Sequence, residues 1–249
     1  MHMQVEAKFN QPATLYIRDP ACYENPETKT VTSVMMGDIV QSKSESAALD
    51  VHVNAHAPIE KIEVRNGCDV VKTLRPYTSD TDKDQARVRV LWSGAEYRGR
   101  GRQTNWTGRA RFAGCNITRV KKINAWNHER KLEQSGSDTI EWDAMTTGNY
   151  GGFDVWLDVN SADASVDLTS NHGALTVSTL ALDAEGVELD AGGLERKINV
   201  YRLPETLSQT ELNETIEVPL NKDGDNPLWI CVYTEDGFQA WSSPIFVFE

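Results

Sequence analysis

No stretch of about twelve residues in this sequence sustains a helical period, and that constrains the fold more than any motif does. What recurs instead are short β-branched or alternating runs broken by turn formers. Leu49-Asp50-Val51-His52-Val53, Ile59-Glu60-Lys61-Ile62-Glu63-Val64 and Arg87-Val88-Arg89-Val90 alternate apolar and polar side chains. Strands of this kind put one face in a core and the other in water. Asn66-Gly67 and Asp236-Gly237, each set between two such runs, read as hairpin turns. Residues 120–131 come nearest to a helix, but Asn124, Asn127 and His128 interrupt it. The pattern predicts an all-β fold: a multi-stranded antiparallel β-sandwich, or two packed β modules.

The first strand is expected at 14–18, followed by an irregular loop over 19–33, and the last strand at 240–248. The polar run Pro76-Tyr77-Thr78-Ser79-Asp80-Thr81-Asp82-Lys83-Asp84 separates N-terminal strands, 1–75, from a main body, 86–249, if the chain is not one continuous domain. A chain of 249 residues buries a core without staples. Cys22, Cys68, Cys115 and Cys231 form no C-x-x-C pair, so four free thiols, mostly buried, are expected. No apolar run approaches the ~18 residues of a membrane span, and no signal peptide is expected, since Met1-His2-Met3-Gln4-Val5-Glu6 has neither a basic start nor an apolar stretch. A soluble protein is expected, with the cytoplasm favoured.

Charge is unevenly spread. Residues 98–131 hold ten Lys/Arg and one acid, whereas 132–195 hold 13 Asp/Glu and no Lys or Arg. Basic strands lying beside acidic ones would explain this internally; otherwise the basic segment is a face for an acidic protein surface or an anionic ligand. Nucleic acid is excluded, because a net charge of −12 repels the phosphate backbone. Within Gly94-Ala95-Glu96-Tyr97-Arg98-Gly99-Arg100-Gly101-Arg102, the arginines Arg98, Arg100 and Arg102 share one face if the run is extended. Glycine allows close approach and arginine offers a planar fork for carboxylate or phosphate, so these three are expected to dock an acidic surface.

Catalytic motifs are missing: there is no G-x-S-x-G, phosphate loop or dinucleotide fingerprint. His52 and His56 lie about 13 Å apart on an extended strand, too far to share a metal. No residue is assigned a catalytic or metal-ligand role, and no cofactor is expected. A structural calcium has two acidic turns open to it: residues 158–163 begin like a calcium loop but fail its pattern at Ala162 and Asp163, and residues 223–226 read as a plain turn with Asx hydrogen bonds. Tryptophans recur about once per strand. Trp92 and Trp156 sit in the apolar runs Val90-Leu91-Trp92 and Val155-Trp156-Leu157 and belong to a core; Trp106 and Trp126 have polar neighbours and could form a platform for sugar rings.

Several segments together resemble a known family. They are Met35-Met36-Gly37-Asp38, residues 57–67, Trp92-Ser93-Gly94 through Arg102, Asp190-Ala191-Gly192-Gly193-Leu194 and Gln239-Ala240-Trp241-Ser242-Ser243-Pro244-Ile245. Residues 33–249 are similar to the C-terminal β region of the domain of unknown function 3604 family, a largely bacterial family. Its full-length members resemble metal-dependent phosphoesterases of the polymerase-and-histidinol-phosphatase type. The metal cluster of such enzymes opens with an H-x-H pair, which this sequence lacks. The resemblance therefore implies an accessory β domain whose catalytic portion would precede residue 1, and it transfers no metal ligand.

Three readings follow: a non-catalytic accessory β-sandwich that packs on such a hydrolase domain or binds its ligand; an independent carbohydrate- or anion-binding module; and a hydrolase with an unrecognised site. The candidate binding residues are Arg98, Arg100, Arg102, Trp106 and Trp126.

Overall fold

The computed structural model describes residues 1–78, 84–99 and 102–249. It is all-β, with no α-helix among the described residues and a single 3-10 turn at Thr179–Ala181. Two compact units divide the chain. The first combines Met1–Tyr77 with Leu207–Glu249; the second is Thr78–Thr206.

The first unit holds β1 (His2–Tyr16), β2 (Thr28–Met35), β3 (Ile39–Gln41), β4 (Ser46–Asn54), β5 (Ile59–Asn66) and β6 (Asp69–Leu74). The second holds β7 (Gln85–Ala95), β8 (Thr104–Ala113), β9 (Cys115–Ile123), β10 (Leu132–Ser135), β11 (Thr139–Thr146), β12 (Tyr150–Val159), β13 (Ser165–Ser170), β14 (Gly173–Ser178), β15 (Val187–Asp190) and β16 (Leu194–Leu203). The chain then returns to the first unit with β17 (Glu211–Pro219), β18 (Asn226–Thr234), β19 (Gln239–Trp241) and β20 (Ile245–Phe248).

In the first unit, ten strands form one sheet in the order β17-β4-β1-β3-β20-β18-β5-β6, with β2 on β1 and β19 on β18. Every pair is antiparallel except β3 with β20. Alternation places Val5, Leu49, Val51, Ile62, Val64 and Val232 in a common core. The sheet curls until it is nearly closed. The lead into β17 reaches β5, where the Ile59 N–H donates to the Gln209 carbonyl at 2.7 Å.

Three sequence expectations change here. The first strand starts at His2, well before residue 14. The supposed loop 19–33 contains most of β2, paired along β1; Thr28-Lys29-Thr30-Val31-Thr32 is β-branched but too polar to show alternation. The run 240–248 breaks into β19 and β20 at Ser242–Pro244, because Pro244 has no N–H for a ladder.

The second unit has two five-stranded sheets, β15-β16-β7-β12-β9 and β10-β11-β8-β13-β14. Both contribute to one apolar core that includes Val90, Phe112, Ile140, Val155 and Leu168. Across it, Trp92 of β7 stacks on Trp142 of β11 with centroids 5.3 Å apart and an interplanar angle of 12°. The expected half-wet character of Arg87-Val88-Arg89-Val90 does not hold. Arg87 and Arg89 are 2% and 1% exposed. Register places them opposite Trp156 and Asp154 on β12. The Asp154 carboxylate accepts from Arg87 Nε and Nη2 at 3.2 and 2.5 Å, and from Arg89 Nε and Nη2 at 2.6 and 2.9 Å. The Arg87 and Arg119 guanidiniums lie over the Trp156 ring, 4.6 and 4.3 Å from its centroid.

Much of the basic segment meets the acidic one through strand register. Arg109 lies opposite Glu141, and Arg111 opposite Asp167. Ion pairs join Arg111 to Asp138 at 3.0 Å, Arg130 to Asp143 at 2.6 Å and Lys131 to Glu141 at 2.9 Å. All four cysteines are free, but only Cys115 and Cys231 are buried; Cys22 and Cys68 are exposed, contrary to the expectation of mostly buried thiols.

Candidate functional site

The second unit carries an open polar cleft of about 530 Å³, lined by Glu96, Tyr97, Gln103, Thr104, Asn105, Asn171, His172 and Arg196. Its floor is the beginning of β8, held by the turn between β13 and β14. The Asn171 side chain accepts from the Thr107 N–H at 3.0 Å and donates to the Asn105 carbonyl at 3.0 Å. That carbonyl also receives His172 Nε2–H at 2.9 Å. His172 packs edge-on against Trp106, with centroids 4.7 Å apart. Asn171 and His172 are thus largely committed to holding the floor.

The wall comes from β16. The chain turns at Gly192 and Gly193, both at positive φ (70° and 64°). Asp190 accepts the Gly192 N–H at 2.7 Å. The register of β16 on β7 then slips between Leu194 and Lys197, a β-bulge that contains Glu195 at φ 52°. A bulge of this kind re-aims a side chain, and here it places Arg196 among the residues lining the cleft. A Cβ on Gly193 would come within 2.8 Å of Arg196 Nε, so the glycine is what lets the guanidinium lie against the backbone. Across the cleft, Arg196 Nη1 stands 3.8 Å from Glu96 Oε2, too long for a direct hydrogen bond.

Two residues of the lining each carry a buried polar atom that has no hydrogen-bond partner among the described residues: Thr104 Oγ1 and Arg196 Nε, both shielded from solvent. Thr104 is 3% exposed. Its neighbour across the ladder, Thr146, is satisfied, accepting Trp106 Nε1–H at 2.8 Å and donating to the Gly94 carbonyl at 3.4 Å. Leaving a buried donor unpaired costs on the order of 1–3 kcal/mol. Tyr97, 52% exposed, stands at the rim.

The sequence-derived candidates divide. Trp106 is fully buried, so it is no platform; its ring supports His172 from below. Trp126 is 67% exposed, on the loop after β9, and does not line the cleft. Arg98 and Arg102 are exposed on the segment between Tyr97 and Gln103, and neither forms an ion pair among the described residues. Arg100 lies outside the described residues. Sequence reasoning missed Thr104 and Arg196; the one signal for the latter was Gly192-Gly193, two glycines where a turn must admit positive φ.

Among the described residues, no group of three His, Cys, Asp or Glu side chains is placed to hold a metal ion. In the 223–226 turn the Asn226 side chain accepts the Asn221 N–H at 2.7 Å and donates to the Asn221 carbonyl at 3.0 Å, closing it as an Asx-type turn. In the 158–163 turn, Ser161 Oγ accepts the Asp163 N–H at 3.2 Å. Compared with known proteins, the chain matches no family model, no curated protein and no solved structure.

Proposed function

We propose that this chain is a non-catalytic, ligand-binding β module of the accessory kind, and that the cleft of its second unit takes a carbohydrate. The observation that carries the reading is the open polar cleft itself, lined by Glu96, Gln103, Asn105 and Arg196 with the half-exposed Tyr97 beside them. Sugars present what such a cleft lacks: hydroxyls that donate and accept at short spacing, and a C–H face that stacks on an aromatic ring. In this reading the second unit is a β-sandwich that presents the cleft at one end of its shared core.

A binding role fits the cleft better than hydrolysis. Glycoside hydrolysis generally uses two carboxylates flanking the bond, whereas Glu96 is the sole carboxylate among the described residues lining this cleft. The resemblance to the C-terminal β region of the domain of unknown function 3604 family adds a setting, a module that brings ligand to a hydrolase partner domain.

Calorimetric titration of the full chain against a panel of mono- and oligosaccharides tests the proposal. Binding is expected for at least one class, and both Tyr97→Ala and Gln103→Ala are expected to weaken it at least tenfold. A panel with no binder, or variants that bind like the parent, overturns the reading.

A further inference from the structure

We infer that Asn171 is the positioning residue of this cleft, and that what it positions is an open backbone donor, the Asn105 N–H, for a sugar hydroxyl; the inference rests on the carbohydrate reading above. β13 pairs with β8 only as far as Ser170 opposite Gly108, whereas β8 runs on to Thr104 with β11 alone beside it. In an antiparallel ladder each residue turns its N–H and C=O to the same side, and alternate residues address opposite neighbours. The Phe112 N–H donates to the Asp138 carbonyl on the β11 side, and the Thr107 carbonyl accepts the Asn171 N–H at 2.9 Å on the β13 side. Even-numbered residues of β8 therefore address β11, and odd-numbered ones address β13, which stops short of Thr107 and Asn105.

Asn171 takes the place of the missing strand. Its side-chain oxygen accepts the Thr107 N–H and its amide nitrogen donates to the Asn105 carbonyl, both at 3.0 Å, so one side chain does what further strand residues would do. His172 Nε2–H meets the same Asn105 carbonyl at 2.9 Å. One group of this edge is left over. The Asn105 N–H, aimed at the side that β13 has vacated, has no hydrogen-bond partner among the described residues. Had β13 continued, one of its carbonyls would fill that position. Asn105 is exposed, so its N–H is open to water, and a ligand hydroxyl can replace such a water while keeping the hydrogen bond. Gln103 and Tyr97 line the same cleft and add a side-chain amide and an aromatic ring to that donor.

Amide hydrogen exchange of the full chain, read by NMR, tests the positioning without a ligand. Thr107 is expected to be protected and Asn105 to exchange fast. Asn171→Ala is expected to speed Thr107 at least tenfold while Arg111, paired with Asp167 of β13, keeps its protection. A protected Asn105 amide, or a Thr107 amide indifferent to Asn171→Ala, overturns the inference. Titration with glucose, galactose, mannose and their disaccharides then reads the donor: a sugar that binds is expected to shift the Asn105 amide resonance, and Asn171→Ala to weaken it at least tenfold. Asn171→Asp separates positioning from folding. Its carboxylate still accepts from Thr107 but repels the Asn105 carbonyl, so binding at pH 7 should fall at least tenfold; protonated, it regains a donor, so its affinity relative to the parent should recover by about pH 4.5. His172, Glu96 and Arg196 line the cleft in both proteins, so the ratio of variant to parent removes their effect. A sugar that binds without moving the Asn105 amide, or a ratio that stays flat with pH, overturns this inference and leaves the carbohydrate reading standing. A panel with no binder removes both.

Discussion

Replacing Asp154 by asparagine tests the arrangement at the centre of the second unit. Asp154 is fully buried and receives four N–H contacts from Arg87 and Arg89. Burial alone would lift its carboxyl; the guanidiniums of Arg89 and Arg87 outweigh that and hold it below the ordinary carboxylate range. Asparagine keeps the shape and part of the acceptor geometry but removes the carboxylate charge that faces both guanidiniums. Charge-assisted bonds contribute roughly 1.5–3 kcal/mol each, and the four share one carboxylate, so their sum overstates the loss. Breaking a buried ion pair costs about 3–5 kcal/mol. At roughly 2–4 °C per kcal/mol for a chain of this size, Tm should fall by about 6–20 °C. Differential scanning calorimetry measures this directly. The pH dependence has a fixed sign. A depressed carboxyl adds stability above its unfolded pKa of about 3.9, and that contribution is lost as pH falls below it. The parent should therefore lose stability below about pH 4 more steeply than Asp154→Asn does. Changing Arg87 and Arg89 to methionine as well should recover much of the loss, since apolar replacement of a whole buried ionic cluster is often neutral. A Tm within about 2 °C of the parent for Asp154→Asn would refute the reasoning.

Other outcomes follow from single residues. Thr104→Val removes an unpaired buried hydroxyl and should raise the ligand-free Tm by a few degrees, about 1 kcal/mol; a lower Tm would mean that the hydroxyl is satisfied. Gly94→Ala places a methyl 2.3 Å from the Glu195 carbonyl at φ 86° and should cost more than about 3 kcal/mol by chemical denaturation; a loss under 1 kcal/mol would count against the close approach of β7 and β16. A thiol reagent should modify Cys22 and Cys68 in the native protein and all four cysteines after unfolding, with Cys22 slowed because the Asp19 charge raises its pKa. Burial pushes the Cys231 thiol up to about 11. Its contribution to stability is present below pH 9 and should decline by about 2–3 kcal/mol between pH 9 and 11, a decline that Cys231→Ala should blunt.

How legible these features are in sequence depends on how far their causes extend along the chain. β4, β5 and β6 are plain because alternation and the Asn66-Gly67 turn are local, and Gly67 adopts φ 61° at that hairpin. β1 and β2 are obscured by threonine, lysine and the Asn10-Gln11-Pro12 interruption, where their register slips. The burial of Arg87 and Arg89 depends on Asp154, sixty-odd residues away, and no period announces it. The polar neighbours of Trp106 hide an alternation that points inward: Thr104, Trp106, Ala110 and Phe112 are all buried at even spacing. Arg196 depends on a bulge, which shifts a period and leaves no pattern of its own.

The return of the chain at Leu207 has a consequence for synthesis. β4 must wait for β17, whose Asn213 sits opposite His52 in the ladder and accepts its ring nitrogen at 2.7 Å. Between them the ribosome delivers the whole of Thr78–Thr206, on the order of ten seconds or more at about 5–20 residues per second. Through that interval β4 is a nascent edge, with Leu49, Val51 and Val53 behind it, and its backbone groups are open to any strand that arrives first. The inserted unit can complete its own sheets in that time, whereas the N-terminal strands cannot. Yield in a cell-free system should then depend less on the stability of the finished protein than on what shields this half-built sheet while the last four strands are being made.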